Sequence, residues 1–268
     1  MSRKFTLLGA LAGFAVAIVL GFTTMAQAEV WRMATKQTAD GPEGKAFAKF
    51  AELVGKYTEG KIEVKVYPSE QLGKTEAALE QLQAGTVHVY PEGPSYMRKW
   101  VPQMEFAGAP FLFKDRPHWV RFMHSPEVTG WIKQVEEKAG IAIIGDITGF
   151  VRGPYRCLVS KKRVKGLADL KGLKLRAPEG LVQAVFAAAG AAPVGLPGSE
   201  VYTSLDKGVI DAADYTVFST NEQQGMHKIA KHPVYPGFHA MPVLDVSINL
   251  KTWNKMGADL QQILKMSV

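Results

Sequence analysis

The sequence predicts an α/β fold divided into two lobes. Three observations lead there: helical and strand periodicities alternate along the chain, the alternation starts afresh after about residue 153, and some 240 residues remain once an apolar leader is set aside, enough for one large or two small domains. The leader comes first. Arg3 and Lys4 precede an uncharged apolar run over residues 5–22, and Ala26-Gln27-Ala28 supplies a small-x-small cleavage pattern before Glu29. This order predicts a secretory signal peptide, residues 1–28, with cleavage after Ala28. The alternative is an uncleaved anchor, since the run is long enough to span a bilayer. The absence of a Cys near Ala28 argues against a lipid-anchored form, and no later stretch is long and apolar enough for a transmembrane helix.

Residues 30–33 form a short strand candidate. Ala46, Phe47, Phe50, Ala51, Val54 and Tyr57 recur at helical spacing and predict an amphipathic helix over 43–58, stopped by Gly60. Ile62, Val64 and Val66 alternate with Glu63 and Lys65, as in a half-buried strand. A helix over 75–83 ending at Gly85 and a strand over 87–90 complete a βαβ pattern with parallel pairing. Residues 140–145 read as a buried strand. The second series comprises a strand over 173–175 ending at Arg176, a helix over 181–189 closed by Gly190, a helix over 200–207 capped by Ser199 and closed by Gly208, and a strand over 209–213. Crossings at 141–156 and about 236–246 place residues 29–153 and 242–268 in lobe I and 154–241 in lobe II. A chain that leaves one lobe, builds another and returns is a hinged clamshell. Residues 259–266 look like the start of a helix that ends without a cap, the pattern of a truncated chain.

Composition narrows the function. The chain has 32 Lys+Arg and 25 Asp+Glu; loss of the leader leaves 30 basic residues, formally +5. The densest basic cluster, Lys161-Lys162-Arg163, is too short for a nucleic-acid stripe. The excess gives a mild field that attracts anions. One cysteine, Cys157, cannot form an internal disulfide, and its apolar context reads as a buried strand residue. The six histidines are scattered, with no zinc-type spacing, and no HExxH, P-loop, GxGxxG or GxSxG motif occurs. An enzyme is therefore disfavoured.

The residues that remain sit at strand ends, where open α/β sheets bind ligands. Arg176 closes the 173–175 strand and offers a fork that fits a carboxylate. Arg156 lies among apolar neighbours, a charge that needs either a ligand anion or a structural carboxylate. Asp214 and Tyr215 follow the 209–213 strand and should line the opposite wall of the crevice; Asp214 is also the one candidate to hold a cation beside a bound acid. Glu92 and Tyr96, after the 87–90 strand, are candidates from the first lobe.

Several blocks together resemble the DctP-type solute-binding proteins of TRAP transporters (tripartite ATP-independent periplasmic transporters). They are Gln71-Leu72-Gly73 with Leu82-Gln83-Ala84-Gly85, the segment Leu167–Pro178, and Ser199–Tyr202 followed by Leu205–Ala213. Tyr235-Pro236-Gly237-Phe238-His239 is similar to a segment of the branch that binds 2-oxo acids and related monocarboxylates. The likeness covers nearly all of 29–264. It implies a two-lobed periplasmic-binding-protein clamshell, a small organic-acid ligand, no cofactor beyond a possible cation, and TRAP membrane subunits as partners. It also implies a long helix spanning both lobes and a chain that continues past residue 268. It makes Arg176 the carboxylate-binding residue and Arg156 a second arginine. Family members often carry Asn or Trp where Tyr215 stands, and sialic-acid binders have phenylalanine near Pro197-Gly198; these departures favour a monocarboxylate or 2-oxo acid. A binding protein for an ATP-driven importer, an extracytoplasmic enzyme and an inactive fragment are the rival readings.

Overall fold

The computed structural model describes residues 28–110, 112–145, 157–235, 237 and 244–268. The predicted leader, both crossings in large part, and Arg156 lie outside them. In chain order the first series is β1 (Glu29–Ala34), α1 (Pro42–Tyr57), β2 (Ile62–Tyr67), α2 (Thr75–Ala84), β3 (Val89–Glu92), α3 (Arg116–Met123), α4 (Pro126–Ala139) and β4 (Ile141–Ile144). The second is β5 (Leu158–Ser160), β6 (Lys174–Arg176), α5 (Leu181–Ala188), β7 (Ala192–Val194), α6 (Val201–Asp206), β8 (Ala212–Asp214), α7 (Phe218–Gln223), α8 (Met226–Ile229) and β9 (His232–Pro233). Then come β10 (Asp245–Asn249), α9 (Leu250–Lys255) and α10 (Ala258–Ser267).

Two five-stranded sheets result, in the orders β2-β1-β3-β10-β4 and β7-β6-β8-β5-β9. In each, three parallel strands are followed by one antiparallel strand, β10 or β5, and a fifth strand that runs in the direction of the first three. The antiparallel insert of the first sheet, β10, comes from the end of the chain, which thus returns to lobe I after building lobe II. Helices cover both faces, as parallel strands buried on both sides require. In lobe I, α1 buries Phe47, Phe50 and Val54 at helical spacing against Trp31 and Met33 of β1 and Leu264 of α10. The other face packs Leu82, Tyr90, Met97 and Trp119. Lobe II has smaller cores on its two faces, one around Val201, Leu205 and Met226 and one around Leu175, Val182 and Phe186.

The predicted elements are largely present, with informative shifts. Strand β3 begins two residues later than its apolar run, because Thr86 and Val87 donate their N–H groups to Gln81 O in the turn closing α2. Strand β8 starts at Ala212 rather than Val209, because Val209 and Ile210 still bond back to Ser204 O at the end of α6. Ser199 caps no helix: a 3-10 turn over Gly198–Glu200 precedes α6, and the Ser199 hydroxyl reaches lobe I instead. Helices α3 and α4 lie outside the predicted elements: in α4, Val128, Val135 and Ala139 recur at helical spacing and are buried, and both helices have N-caps, Asp115 accepting from His118 N and Ser125 from Val128 N. Cys157 is fully buried just before β5, its thiol donating to Thr216 O at 3.3 Å. No helix among the described residues is long and apolar enough to cross a membrane.

Candidate functional site

The parallel strand β6 pairs with β8 so that Arg176 lies opposite Ala213 at the carboxyl end of both. Arg176 is 3% exposed. Its Nε donates to Leu196 O at 3.0 Å and its Nη1 to Asp214 O at 2.8 Å, and its Cζ stands 5.7 Å from the Tyr215 ring centroid. No carboxylate among the described residues lies within ion-pair distance of it. A buried guanidinium held by two neutral carbonyls and an aromatic face retains donors for an anion, and burial makes the anion's arrival worth more than at a solvated site.

Arg176 lines a cavity of about 180 Å³ between the lobes. Lobe II contributes Arg176–Glu179 and Gly195–Gly198; lobe I contributes Glu70, Thr75, Glu76 and Tyr96. The space suits a small organic solute. Gly198 also borders a second cavity of about 350 Å³, lined by Lys36, Ser69, Tyr202 and Tyr215 among others. An added Cβ at Gly198 would stand 3.3 Å from Lys36 Cδ and 3.6 Å from the Tyr215 hydroxyl, so a larger residue there would narrow the join. A larger hollow, about 570 Å³, lies wholly on lobe II between residues 164–170, α5 and Tyr235. Its lining is mainly apolar and its one cation, Lys165, is exposed, so the interlobe cavity is the better anion site.

The expected site residues take different places. Arg176 and Tyr96 line the cavity, Tyr215 backs Arg176 and borders the second space. Glu92 stands behind: its carboxylate pairs with Lys36 Nζ at 2.8 Å, and that ammonium also donates to the Tyr96 hydroxyl at 3.3 Å. Asp214 is fully buried and lines neither space; its backbone carbonyl holds Arg176. Among the described residues no group of three or more His, Cys, Asp or Glu side chains could hold a metal. Asp245, opposite Glu92 in the β3–β10 ladder, is fully buried, and burial pushes its carboxyl up from 3.8 to about 8, with Glu92 adding to the shift.

Side chains bridge the lobes around the cavity mouth. Lys74 pairs with Glu200 at 2.5 Å and Arg98 with Glu179 at 3.2 Å. Leu181 N, at the start of α5, donates to Glu105 Oε1 at 2.8 Å, and Ser199 donates to Glu70. Deeper in, Thr220 of α7 donates to Glu43 of α1 at 3.2 Å. Exposed pairs of this kind are worth about 0–1 kcal/mol each, which suits a closure that must reverse. Gly180 permits the Glu105 contact: its φ is +93°, and a Cβ would fall 1.5 Å from Glu105 Oε1. The residues missed by sequence reasoning lie where no periodicity marks them: Glu70 in the turn after β2, Thr75 at the start of α2, and Glu105 within a 3-10 helix over Pro102–Gly108. Glu70 was findable, since it lies three residues past the end of β2.

Two α/β lobes closed over a cleft with a buried arginine define a solute-binding clamshell. The family model described as "Bacterial extracellular solute-binding protein, family 7" (DctP) matches residues 33–268, and the chain belongs to that family. It is 32% identical over 259 residues to a solute-binding protein of Sulfitobacter sp. (strain NAS-14.1), covering 94% of this chain and 75% of the relative. It is 30% identical over 243 residues to the monocarboxylate 2-oxoacid-binding periplasmic protein of Nostoc sp. (strain PCC 7120), covering 88% of this chain and 64% of the relative. Its fold matches the crystal structure of a TRAP periplasmic solute-binding protein from Roseobacter denitrificans with bound L-galactonate, with a TM-score of 0.80 and 28% identity over 90% of this chain and 78% of that one. Members of the family are periplasmic binding proteins.

Proposed function

We propose that this protein captures a small organic acid in the periplasm, closes its lobes over it, and presents the closed form to the membrane subunits of a TRAP transporter. The observation that carries the reading is Arg176: a buried guanidinium at a parallel-strand end, facing an interlobe cavity, with no carboxylate partner among the described residues. The ligand carboxylate is its counter-ion, taken up on the fork. Residues 1–28 serve as a cleaved export signal, Arg156 adds charge near the ligand, and the protein acts without cofactor or turnover. The Nostoc relative is named for monocarboxylate 2-oxo acids, a Rhodobacter capsulatus relative for C4-dicarboxylates, and the Roseobacter neighbour holds L-galactonate, which together support a small carboxylate ligand here. Hinge closure about the bound acid follows the known repertoire of such proteins.

A thermal-shift screen of residues 29–268 against short carboxylic acids tests this. A ligand that binds only the folded state raises the melting temperature by mass action, several degrees at a hundredfold excess over Kd. A shift with carboxylates that vanishes with their amides is expected. A cooperative melt indifferent to every acid would sink the reading.

A further inference from the structure

The cavity wall facing Arg176 carries a group that carboxylate capture does not use. Ser69 and Glu70 both adopt left-handed backbone, φ +52° and +59°, where non-glycine residues are uncommon. The strain is held in place from outside: Ser69 N donates to Gln37 O and Glu70 N to Thr35 O, each at 2.9 Å. Two consecutive residues kept in a disfavoured conformation by their surroundings are a feature that clusters at ligand sites. The turn sends the Glu70 carboxylate to the cavity. There Oε2 accepts from Ser199 of lobe II, while Oε1 is shut off from solvent with no hydrogen-bond partner in the protein. Such an acceptor calls for a donor.

The neighbours say which donor. Lys36, Lys74 and Arg98 stand around this wall: Lys36 Nζ bonds the Tyr96 hydroxyl, Arg98 Cζ is 5.9 Å from the Tyr96 ring, and Lys74 feels the Glu70 charge. Each of these cations has a carboxylate of its own, Lys36 with Glu92, Lys74 with Glu200 and Arg98 with Glu179, so none of them takes Glu70 Oε1, and the choice between a ligand hydroxyl and a ligand ammonium rests on the donors beside that oxygen. The Tyr96 hydroxyl accepts from Lys36, and Thr75 Oγ1 accepts from Tyr90 at 3.1 Å, so each has its own proton free to donate to a ligand oxygen. An acceptor beside two donors matches hydroxyl groups, which both give and take. A second carboxylate would instead meet Glu70 as a like charge.

Building on the carboxylate-capture reading, we infer that Glu70 is the specificity-determining residue of this cleft and selects hydroxylated monocarboxylates, the aldonate class, over dicarboxylates. Because Ser199 ties the same carboxylate to lobe II, a hydroxyl on Oε1 also joins ligand recognition to lobe closure.

Isothermal titration with six-carbon acids tests this: D-gluconate and L-galactonate, hexanoate with no hydroxyl, adipate with a second carboxylate, and 6-aminohexanoate. Wild type should bind at least one aldonate tenfold or more tighter than any of the other three. Glu70→Ala should lose tenfold or more on that aldonate with little change for hexanoate. Glu70→Gln, which keeps an acceptor and removes the charge, should narrow the gap between aldonate and adipate while retaining a cooperative melt. An unchanged aldonate-to-adipate ratio in both variants would overturn the proposal, as would a wild type that prefers adipate or 6-aminohexanoate. If no acid binds a cooperatively melting wild type, carboxylate capture itself falls, a result distinct from loss of selectivity alone.

Discussion

Arg176 and Glu70 face one cavity from opposite lobes, and they are held there differently. Arg176 ends a strand inside a five-stranded sheet, with two backbone carbonyls gripping its guanidinium. Glu70 rides on a strained turn between β2 and α2, pinned by two bonds to the loop after β1. The first arrangement gives a rigid charge of fixed direction, suited to the feature every organic acid shares. The second places its group by a loop, which can change between proteins without disturbing a sheet. The lobe I wall also carries the titratable groups: Lys36, Glu92 and Asp245 lie together behind Tyr96. General affinity therefore belongs to lobe II, and selectivity and pH response to lobe I.

The most damaging change should fall on the rigid wall. Arg176→Ala removes the counter-ion and leaves Leu196 O and Asp214 O without their donor, so affinity for every acid should drop by a hundredfold or more, and the melting temperature by a few degrees. Arg176→Lys keeps the charge and loses the fork; a loss of about 10- to 100-fold is expected, in line with about 1.5–3 kcal/mol for a hydrogen bond to a charged group. Titration with any one bound acid checks both. Affinity unchanged in Arg176→Lys would mean that charge alone, without the fork's geometry, does the holding.

The contrast between the walls also explains what the sequence made legible. Period-two and period-3.6 patterns revealed both βαβ series, because burial on two faces writes itself into residue order. Arg176 was legible because a strand end is a defined place in such a sheet. The same rule could not say which way Asp214 points. Successive side chains alternate across a strand, and it is Tyr215, one residue on, that borders the cleft. Glu70 could be placed just past the end of β2, but its direction could not be read, because it depends on a positive φ that no glycine announces. Glu105 was hidden because its partner, Leu181 N, lies 76 residues away in the other lobe.

Gly180 offers a cut between the walls that touches neither ligand contact. Gly180→Ala puts a methyl group onto the Glu105 carboxylate and strains a φ of +93°, so the bond from Leu181 N to Glu105 must break. Closure should become less favourable by about 1–2 kcal/mol, which weakens binding roughly 5- to 30-fold. The loss should be the same factor for aldonates, simple monocarboxylates and dicarboxylates, unlike the selective loss expected at Glu70. Titration across the same six-carbon acids separates the two, and a ligand-dependent loss at Gly180 would show that the latch and the specificity wall are one device.

The smallest effect on binding should come from Asp245, behind the lobe I wall, and it should appear in stability against pH. Burial raises its folded-state pKa to about 8, from 3.8, so between those values the folded protein keeps a proton that the unfolded chain has released. Stability from this group is therefore fully present at low pH and declines as pH rises toward 8, at a rate of up to about 1.4 kcal/mol per pH unit. Asp245→Asn keeps a neutral side chain of the same shape and removes the decline. Its melting temperature, relative to wild type, should climb from pH 5 to pH 8 by about 3–6 °C per unit at most, with binding of the best acid at pH 6 changed less than threefold. A parallel pH course for the two proteins would show that Asp245 ionises normally, its charge met by Lys36 across Glu92, and the lobe I wall would then hold its charge without a buried proton.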